Sequence, residues 1–338
     1  MTTSDPQLGT GELRLLRAAG LISARGYVAA SDAVRDQAFW VRWGRRALLA
    51  LGAGQFLAGV VFFFAYNWND LSDIGKFATV ETALVIAAGG ALLIGVDRAF
   101  GQVLLIAASV LTGVLLAVIG QVYQTGADAF ELFVAWAVLI LPWVVVSRSA
   151  VHWLLWLVVA ETALALYGAQ VLTVVHNVTR GDVWVLVGAT IVLALAGREI
   201  VVRKGCDWLA FHWTRLVLLF AALATLFAPA VAHVLDIEDL GSPALSLVAF
   251  VVVLAGAGGV YWRLKPDLAA LVIAIGFADA FFICLGYRAI DETIGFDFDE
   301  AVPALTGFGA MILWAIAGTG SAALAMRRLR TSMREAQA

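Results

Sequence analysis

The chain has 338 residues, of which 62% are hydrophobic and 14% charged, with a mean hydropathy of +0.92. A soluble domain carries about 25% charged residues, so this composition excludes a soluble fold of this size. Six Pro and two Cys exclude a disordered chain and a disulfide scaffold. The formal net charge of −3 gives no indication of nucleic-acid binding. The partner that the composition predicts is the lipid bilayer.

Ten apolar segments are long enough to cross about 30 Å of hydrocarbon as helices. They lie at about 47–66, 77–96, 103–122, 130–146, 151–173, 183–197, 216–235, 243–262, 268–287 and 302–326. The sixth is short and the fourth contains Pro142, while Pro229 is expected to kink the seventh. The predicted fold class is all-α: a polytopic membrane protein with about ten transmembrane helices and a short cytoplasmic N-terminal helical segment.

The distribution of Lys and Arg predicts the orientation. With a cytoplasmic N-terminus, nineteen of these residues lie on the cytoplasmic side and three on the outer side (Lys76, Arg180 and Arg288), which accounts for all 22. Adding or removing one span would destroy this asymmetry. The sequence therefore predicts that both termini lie in the cytoplasm.

Three regions follow from this topology: an N-terminal amphipathic segment at 1–46, the ten-helix bundle at 47–326, and a basic cytoplasmic tail at 327–338. Within the first, residues 12–46 indicate a short helix, a turn at Gly20–Ser23, and a longer helix with Arg25, Arg35 and Arg42 among its basic residues. This pattern is typical of a helix on the anionic inner leaflet. A helix that docks on another protein is the alternative.

Acidic side chains inside the predicted spans are the first candidate site. Glu81 lies about one turn into span two, Glu161 near the centre of span five, and Asp279 near the centre of span nine. An ionisable group at such depth costs several kcal/mol and suggests a functional site. Each acid either binds a cation, is hydrated in a cavity, or is a neutral acid hydrogen-bonded to a neighbouring helix. Small residues around Asp279 (Gly276, Ala280 and Gly286) would let helices or a ligand approach closely.

Polar residues at the outer ends of spans one and three form the second candidate site. Gln121, Tyr123, Gln124 and Asp128 follow the small residues of span three, and Asn67 ends span one. They predict either an outer vestibule for a small polar or cationic ligand, or simple helix capping.

Enzyme motifs are not evident in the sequence. It contains no nucleotide-binding Gly-Lys-Ser/Thr loop, no G-x-S-x-G elbow and no H-E-x-x-H pair. The four histidines are distributed over both sides of the membrane, at His152, His176, His212 and His233. We therefore expect no catalytic residue, no metal site and no cofactor.

Several segments resemble a bacterial family of predicted membrane proteins, domain of unknown function 2157. The resemblance rests on Ala19–Ser23, on Asn67-Trp68 through Lys76, and above all on Gly120-Gln121-Val122-Tyr123-Gln124-Thr125-Gly126-Ala127-Asp128. It covers about residues 12–150. The resemblance implies a polytopic inner-membrane protein and a membrane-anchored protein partner on the outer side, and it assigns no catalytic residue.

Two functions remain open from the sequence, with a third less favoured. The first is binding or gradient-coupled transport of a small solute or ion through the bundle. The second is a non-catalytic scaffold that binds a membrane-anchored partner on its outer face. The third is a membrane-embedded enzyme that uses outer carboxylates.

Overall fold

The computed structural model describes residues 68–237, 244–293 and 301–335, together with scattered positions before residue 68. The chain divides into two units, residues 1–76 and residues 77–338. In the first unit, Trp68–Asp70 forms a 3₁₀ turn, and Lys76 pairs with Asp73 at 3.5 Å. The predicted first span at 47–66 and the N-terminal segment at 1–46 lie largely outside the described residues, as does Asn67.

Nine helices in the described part of the chain are long and apolar enough to cross a membrane. They are α1 Asp73–Ile94, α2 Ala99–Tyr123, α3 Ala129–Ser147, α4 Ala150–Val175, α5 Arg180–Arg203, α6 His212–Val234, α7 Ala244–Leu264, α8 Leu268–Thr293 and α9 Ala301–Glu335. They coincide with predicted spans two to ten, and no strand occurs in the same described ranges. The predicted all-α membrane fold is therefore confirmed.

Proline and π-helical turns mark several of these helices. Pro142 lies within α3 and Pro229 within α6, and both helices continue past the proline. The final turns of α4 and α7 include π-helical stretches, Gly168–Leu172 and Val260–Leu264. The helix α9 extends to Glu335 and so continues into the segment predicted as a basic tail.

The helix α6 is the centre of the second unit. Its apolar window is 44% buried, against 6–28% for the other described spans. Leu219, Leu223 and Leu226 of α6 are almost completely buried and belong to a core that includes Phe250 of α7. The helices α5, α7 and α8 pack around α6.

Polar contacts between helix ends show which connections lie together. Gln102, at the start of α2, donates to the carbonyl of Ser147 at the end of α3 (3.4 Å). At the opposite end, the backbone N–H of Phe130 in α3 donates to Oε1 of Gln170 in α4 (3.1 Å). The helices α2, α3 and α4 therefore run up and down beside one another, as the predicted topology requires.

Candidate functional site

Asp279, a predicted site residue, lies in the middle of α8. Its Oδ1 atom is buried and has no hydrogen-bond partner among the described residues. The same atom faces Gly318 of α9, where an added Cβ would lie 2.8 Å from it. The carboxyl group is therefore placed at the contact between α8 and α9, and the missing side chain of Gly318 provides the space.

The packing of α8 against α9 depends on a second glycine. A Cβ on Gly286 would overlap the indole of Trp314, which stacks on Phe282 at 4.7 Å and donates to its carbonyl at 2.8 Å. Gly286 thus permits the close approach that the sequence suggested. Gly276 has open space instead, since it lines an apolar cavity of about 310 Å³ that faces α6.

Glu161 lies at a different helix contact. Its Oε2 accepts a hydrogen bond from Thr190 of α5 at 2.8 Å, while the Thr190 hydroxyl also contacts the carbonyl of Val187 at 2.7 Å. Glu161 therefore bridges α4 and α5, whereas Asp279 faces α9. Glu81 is exposed on α1. The structure does not bring these three acids together.

The outer polar residues lie in the turn between α2 and α3. Tyr123 is 68% exposed, with its ring 6.0 Å from that of Phe77. Gln124 ends α2 in the left-handed conformation, with φ of 45°, and Asp128 takes the N-cap position of α3 without a capping hydrogen bond from its side chain. Gln121 is exposed as well. These side chains present an exposed surface rather than an enclosed shell.

A buried Ser–His–Ser chain connects α2, α3 and α4. Oγ of Ser109 lies 2.8 Å from Nε2 of His152, and Nδ1 of His152 lies 3.0 Å from Oγ of Ser147. The Ser147 hydroxyl donates to the carbonyl of Val144 at 2.9 Å. Every donor therefore meets an acceptor if His152 is neutral with its proton on Nδ1.

The geometry of this chain resembles an activated nucleophile, but its burial favours a structural role. Ser109 and His152 are 0% exposed, and Ser147 is 2% exposed. A nucleophile and its base act on a substrate that reaches them, and complete burial prevents such access. The chain instead satisfies buried polar groups at one end of three helices.

A larger cluster of charges joins the ends of α5, α6 and α7. Glu199 of α5 accepts from Arg198 at 2.5 Å and from Arg215 of α6 at 2.8 Å, and it also pairs with Lys265 after α7. The Arg198 side chain is 1% exposed and donates further to the Thr214 hydroxyl and the Phe211 carbonyl. Because buried charges are stable only when paired and hydrogen-bonded, Glu199 organises this end of the bundle.

Asp267 is the second acid of this cluster and lies between α7 and α8. Its Oδ2 accepts from Arg215 and from His212, each at 2.8 Å, and its Oδ1 caps α8 through the N–H groups of Ala269 and Ala270. Burial opposes ionisation, but the Arg215 hydrogen bond, the backbone bond and His212 together lower the pKa of Asp267 below its ordinary value. The Arg215 guanidinium also lies over the Tyr261 ring at 5.6 Å.

This cluster was not predicted from the sequence. In the sequence, its basic residues indicated only which side of the membrane is cytoplasmic, and no role was predicted for Glu199 or Asp267. One feature of the sequence could have indicated the cluster. Both acids are close in sequence to basic residues, in two connections that were predicted to lie on the same side of the membrane. Contacts between the α5–α6 and α7–α8 connections now show that these two connections do lie at the same end of the bundle.

Metal binding finds no support in the described ranges, where no group of three or more His, Cys, Asp or Glu side chains is placed to hold an ion. His212 contacts Asp267, and His152 contacts two serines, so these two histidines have other partners.

Comparison with known proteins supports the resemblance noted in the sequence. Residues 14–153 match a family described as predicted membrane protein, DUF2157. No curated protein and no solved structure matches the chain. The match includes the turn with Gln121, Tyr123, Gln124 and Asp128, and the Ser109–His152 pair. Together with the nine apolar helices of spanning length among the described residues, the match supports a membrane protein with several transmembrane helices that is similar, over residues 14–153, to the domain of unknown function 2157.

Proposed function

We propose that the protein binds a small cation within the helix bundle and moves it across the bilayer in exchange for protons, with Asp279 as the main ion-binding group. The observation that carries this proposal is the buried Oδ1 of Asp279, which has no hydrogen-bond partner in the described part of the chain. An uncompensated carboxylate in hydrocarbon costs several kcal/mol. Asp279 is therefore stable either as a protonated acid or as a carboxylate that holds a cation, and alternation between these forms couples the two fluxes.

The position of Asp279 supports this role. It faces α9, whose apolar window is only 6% buried, while the central helix α6 is 44% buried. Since α9 packs mainly on α8, a displacement of α9 would open the carboxyl group without separating the helices that surround α6. Glu161 is the secondary group, because its hydrogen bond to Thr190 stabilises it at a separate helix contact.

The test is proton flux in vesicles of phosphatidylethanolamine and phosphatidylglycerol that contain a pH-sensitive dye, with Na⁺ and K⁺ gradients imposed in turn. We expect wild-type protein to give cation-driven proton flux, Asp279→Asn to abolish it, and Asp279→Glu to retain part of it. The matched control is Glu292→Gln, which removes an exposed acid from the same helix. Flux no greater than in protein-free vesicles for both cations, or equal flux with Asp279→Asn, would contradict the proposal.

We propose a bacterial inner membrane as its location, with both termini in the cytoplasm. The excess of Lys and Arg on one side supports this orientation. In this orientation the charge cluster of Glu199 and Asp267 lies at the cytoplasmic interface, and the α2–α3 turn lies outside.

A second candidate function is favoured by the exposed α2–α3 turn, which would bind a membrane-anchored protein partner. Tyr123 and Gln124 lie exposed at the end of α2. A photo-crosslinking residue at Tyr123 should give an adduct of one defined mass in cells of the native host, and the same residue at Phe100 near the opposite end of α2 should not. Equal patterns from the two positions would contradict this function.

A further inference from the structure

A cleft of about 420 Å³ opens between α5 and α7. Its deep part is apolar: Val192 and Leu195 of α5, Leu219 of α6, and Val253 and Gly256 of α7 line it. From Val192 to Arg203 the cleft follows α5 over twelve residues, whose eleven helical steps span about 16 Å. That length is about half of the 30 Å hydrocarbon layer, so the cleft spans one leaflet.

One wall of the cleft is open to the surrounding bilayer. Val252 is 63% exposed and Ile200 is 54% exposed, and both line the cleft. A Cβ added to Gly256 would meet no atom within 4 Å. The apolar part is therefore a lateral groove that an acyl chain can enter from the membrane.

Charged side chains line the cleft where the helices end. Glu199, Arg203 and Lys265 lie there, beside Tyr261. Glu199 already shares its carboxylate among three cations of the cluster described above. Arg203 is exposed and makes no ion pair within the described ranges.

The surroundings add to this positive charge. Lys204 and Arg263 are exposed next to the cleft and likewise have no acidic partner among the described residues. The two connections and the adjoining helix ends contain six Lys and Arg residues but only three acids, Glu199, Asp207 and Asp267, so the local net charge is positive. Basic pockets between membrane helices at the interface select anionic headgroups.

We propose that this cleft binds one anionic phospholipid of the leaflet in which α5 ends, with its phosphate at Arg203 and Lys265 and an acyl chain along the groove past Gly256. The length of the groove, its opening towards the bilayer and the unpaired cation at its end all match this one occupant. The site is independent of Asp279 and of the proposed transport.

The experiment is native mass spectrometry of the purified full-length protein, titrated with phosphatidylglycerol or with phosphatidylcholine of identical chains. We expect wild-type protein to prefer phosphatidylglycerol at least fivefold. Arg203→Gln should lower phosphatidylglycerol affinity about fivefold, as expected for one cation at a headgroup. The comparison variant, Lys204→Gln, changes a neighbouring exposed cation that does not line the cleft, so it should lower the affinity less than twofold.

A second pair of variants tests whether an acyl chain occupies the apolar groove. Gly256→Leu fills the groove and should lower the occupancy of both lipids. Gly259→Leu places the same side chain on an exposed position of α7 outside the lining and should bind as wild type; Gly259 also has open space around it. Equal binding of the two lipids, equal losses in Arg203→Gln and Lys204→Gln, or equal binding by the two leucine variants would overturn the proposal.

Discussion

Arg215 donates from Nη1 to Oδ2 of Asp267 over 2.8 Å, and this bond joins the first turn of α6 to the connection between α7 and α8. The same guanidinium donates from Nε to Glu199 at the end of α5, also at 2.8 Å. One side chain of the central helix thus holds two acids, one at the end of α5 and the other in the connection between α7 and α8. The four helices α5 to α8 are therefore fixed at one end by charge, while apolar contacts hold them along their length.

Replacing Glu199 with Gln is expected to destabilise the protein by about 3 kcal/mol, because removing one partner of a buried ion pair leaves an uncompensated charge. The affected charge is Arg198, whose side chain is 1% exposed. The free energy of unfolding in detergent micelles measures the effect. The control Glu292→Gln breaks only an exposed ion pair with Arg288 and should change the free energy of unfolding by less than about 0.5 kcal/mol. Equal losses of stability in the two variants would contradict the stabilising role of the charge cluster.

The stability contribution of Asp267 should depend on pH in one direction. Its pKa is lowered in the folded protein, chiefly by Arg215 acting against burial, so its contribution is complete above the unfolded value of about 3.9 and is lost as the pH falls through the folded pKa. The Tm difference between wild type and Asp267→Asn should therefore be large at neutral pH and shrink in acid below about pH 4. A difference that grows on acidification would contradict this assignment.

Adding one methyl group to Gly286 should disrupt the contact between α8 and α9. The new Cβ of Gly286→Ala overlaps the Trp314 indole, and overpacking of this kind costs about 1–3 kcal/mol. Gly276→Ala is the matched control in the same helix, where the Cβ enters open space and stability should be unchanged or slightly higher. Thermal unfolding of both variants checks the prediction, which fails if Gly276→Ala is the less stable one.

Ser109 should behave as a structural residue. Ser109→Ala leaves Nε2 of His152 without its partner at a fully buried position and should cost about 1–3 kcal/mol of stability. A fluorophosphonate probe, which reacts with activated serines, should leave the wild-type protein unlabelled. Labelling that disappears in Ser109→Ala would show that the serine is accessible and reactive.

Much of the fold was predictable from the sequence, because length and hydropathy alone define a membrane span. The predicted segment 183–197 is an example: it lies within α5, and the helix continues through Arg198 and Glu199, whose charges are paired there. Hydropathy cannot place such charged turns inside a helix, so the predicted segment was too short.

The candidate sites were predictable only in part. The depth of Asp279 follows from its place in an apolar segment, and the close approach at Gly286 was expected from its size. The contact between Glu199 and Lys265 was not predictable, since 66 residues separate them and only the packing of α5 against α7 brings them together. The separation of Glu161 from Asp279 likewise depends on which helices are neighbours, and helix periodicity does not specify that.

The most direct test of the account is the side of the membrane from which single cysteines react with an impermeant maleimide. Cys206 is a free thiol in the α5–α6 connection, and Gln124 is exposed in the α2–α3 turn. With Cys284 replaced by Ser, Cys206 should react in inside-out vesicles and be protected in intact spheroplasts. Gln124→Cys, in a chain without the two native cysteines, should react in spheroplasts. Labelling of both positions from the same side would contradict the topology on which the proposed transport and the proposed cytoplasmic position of the charge cluster depend.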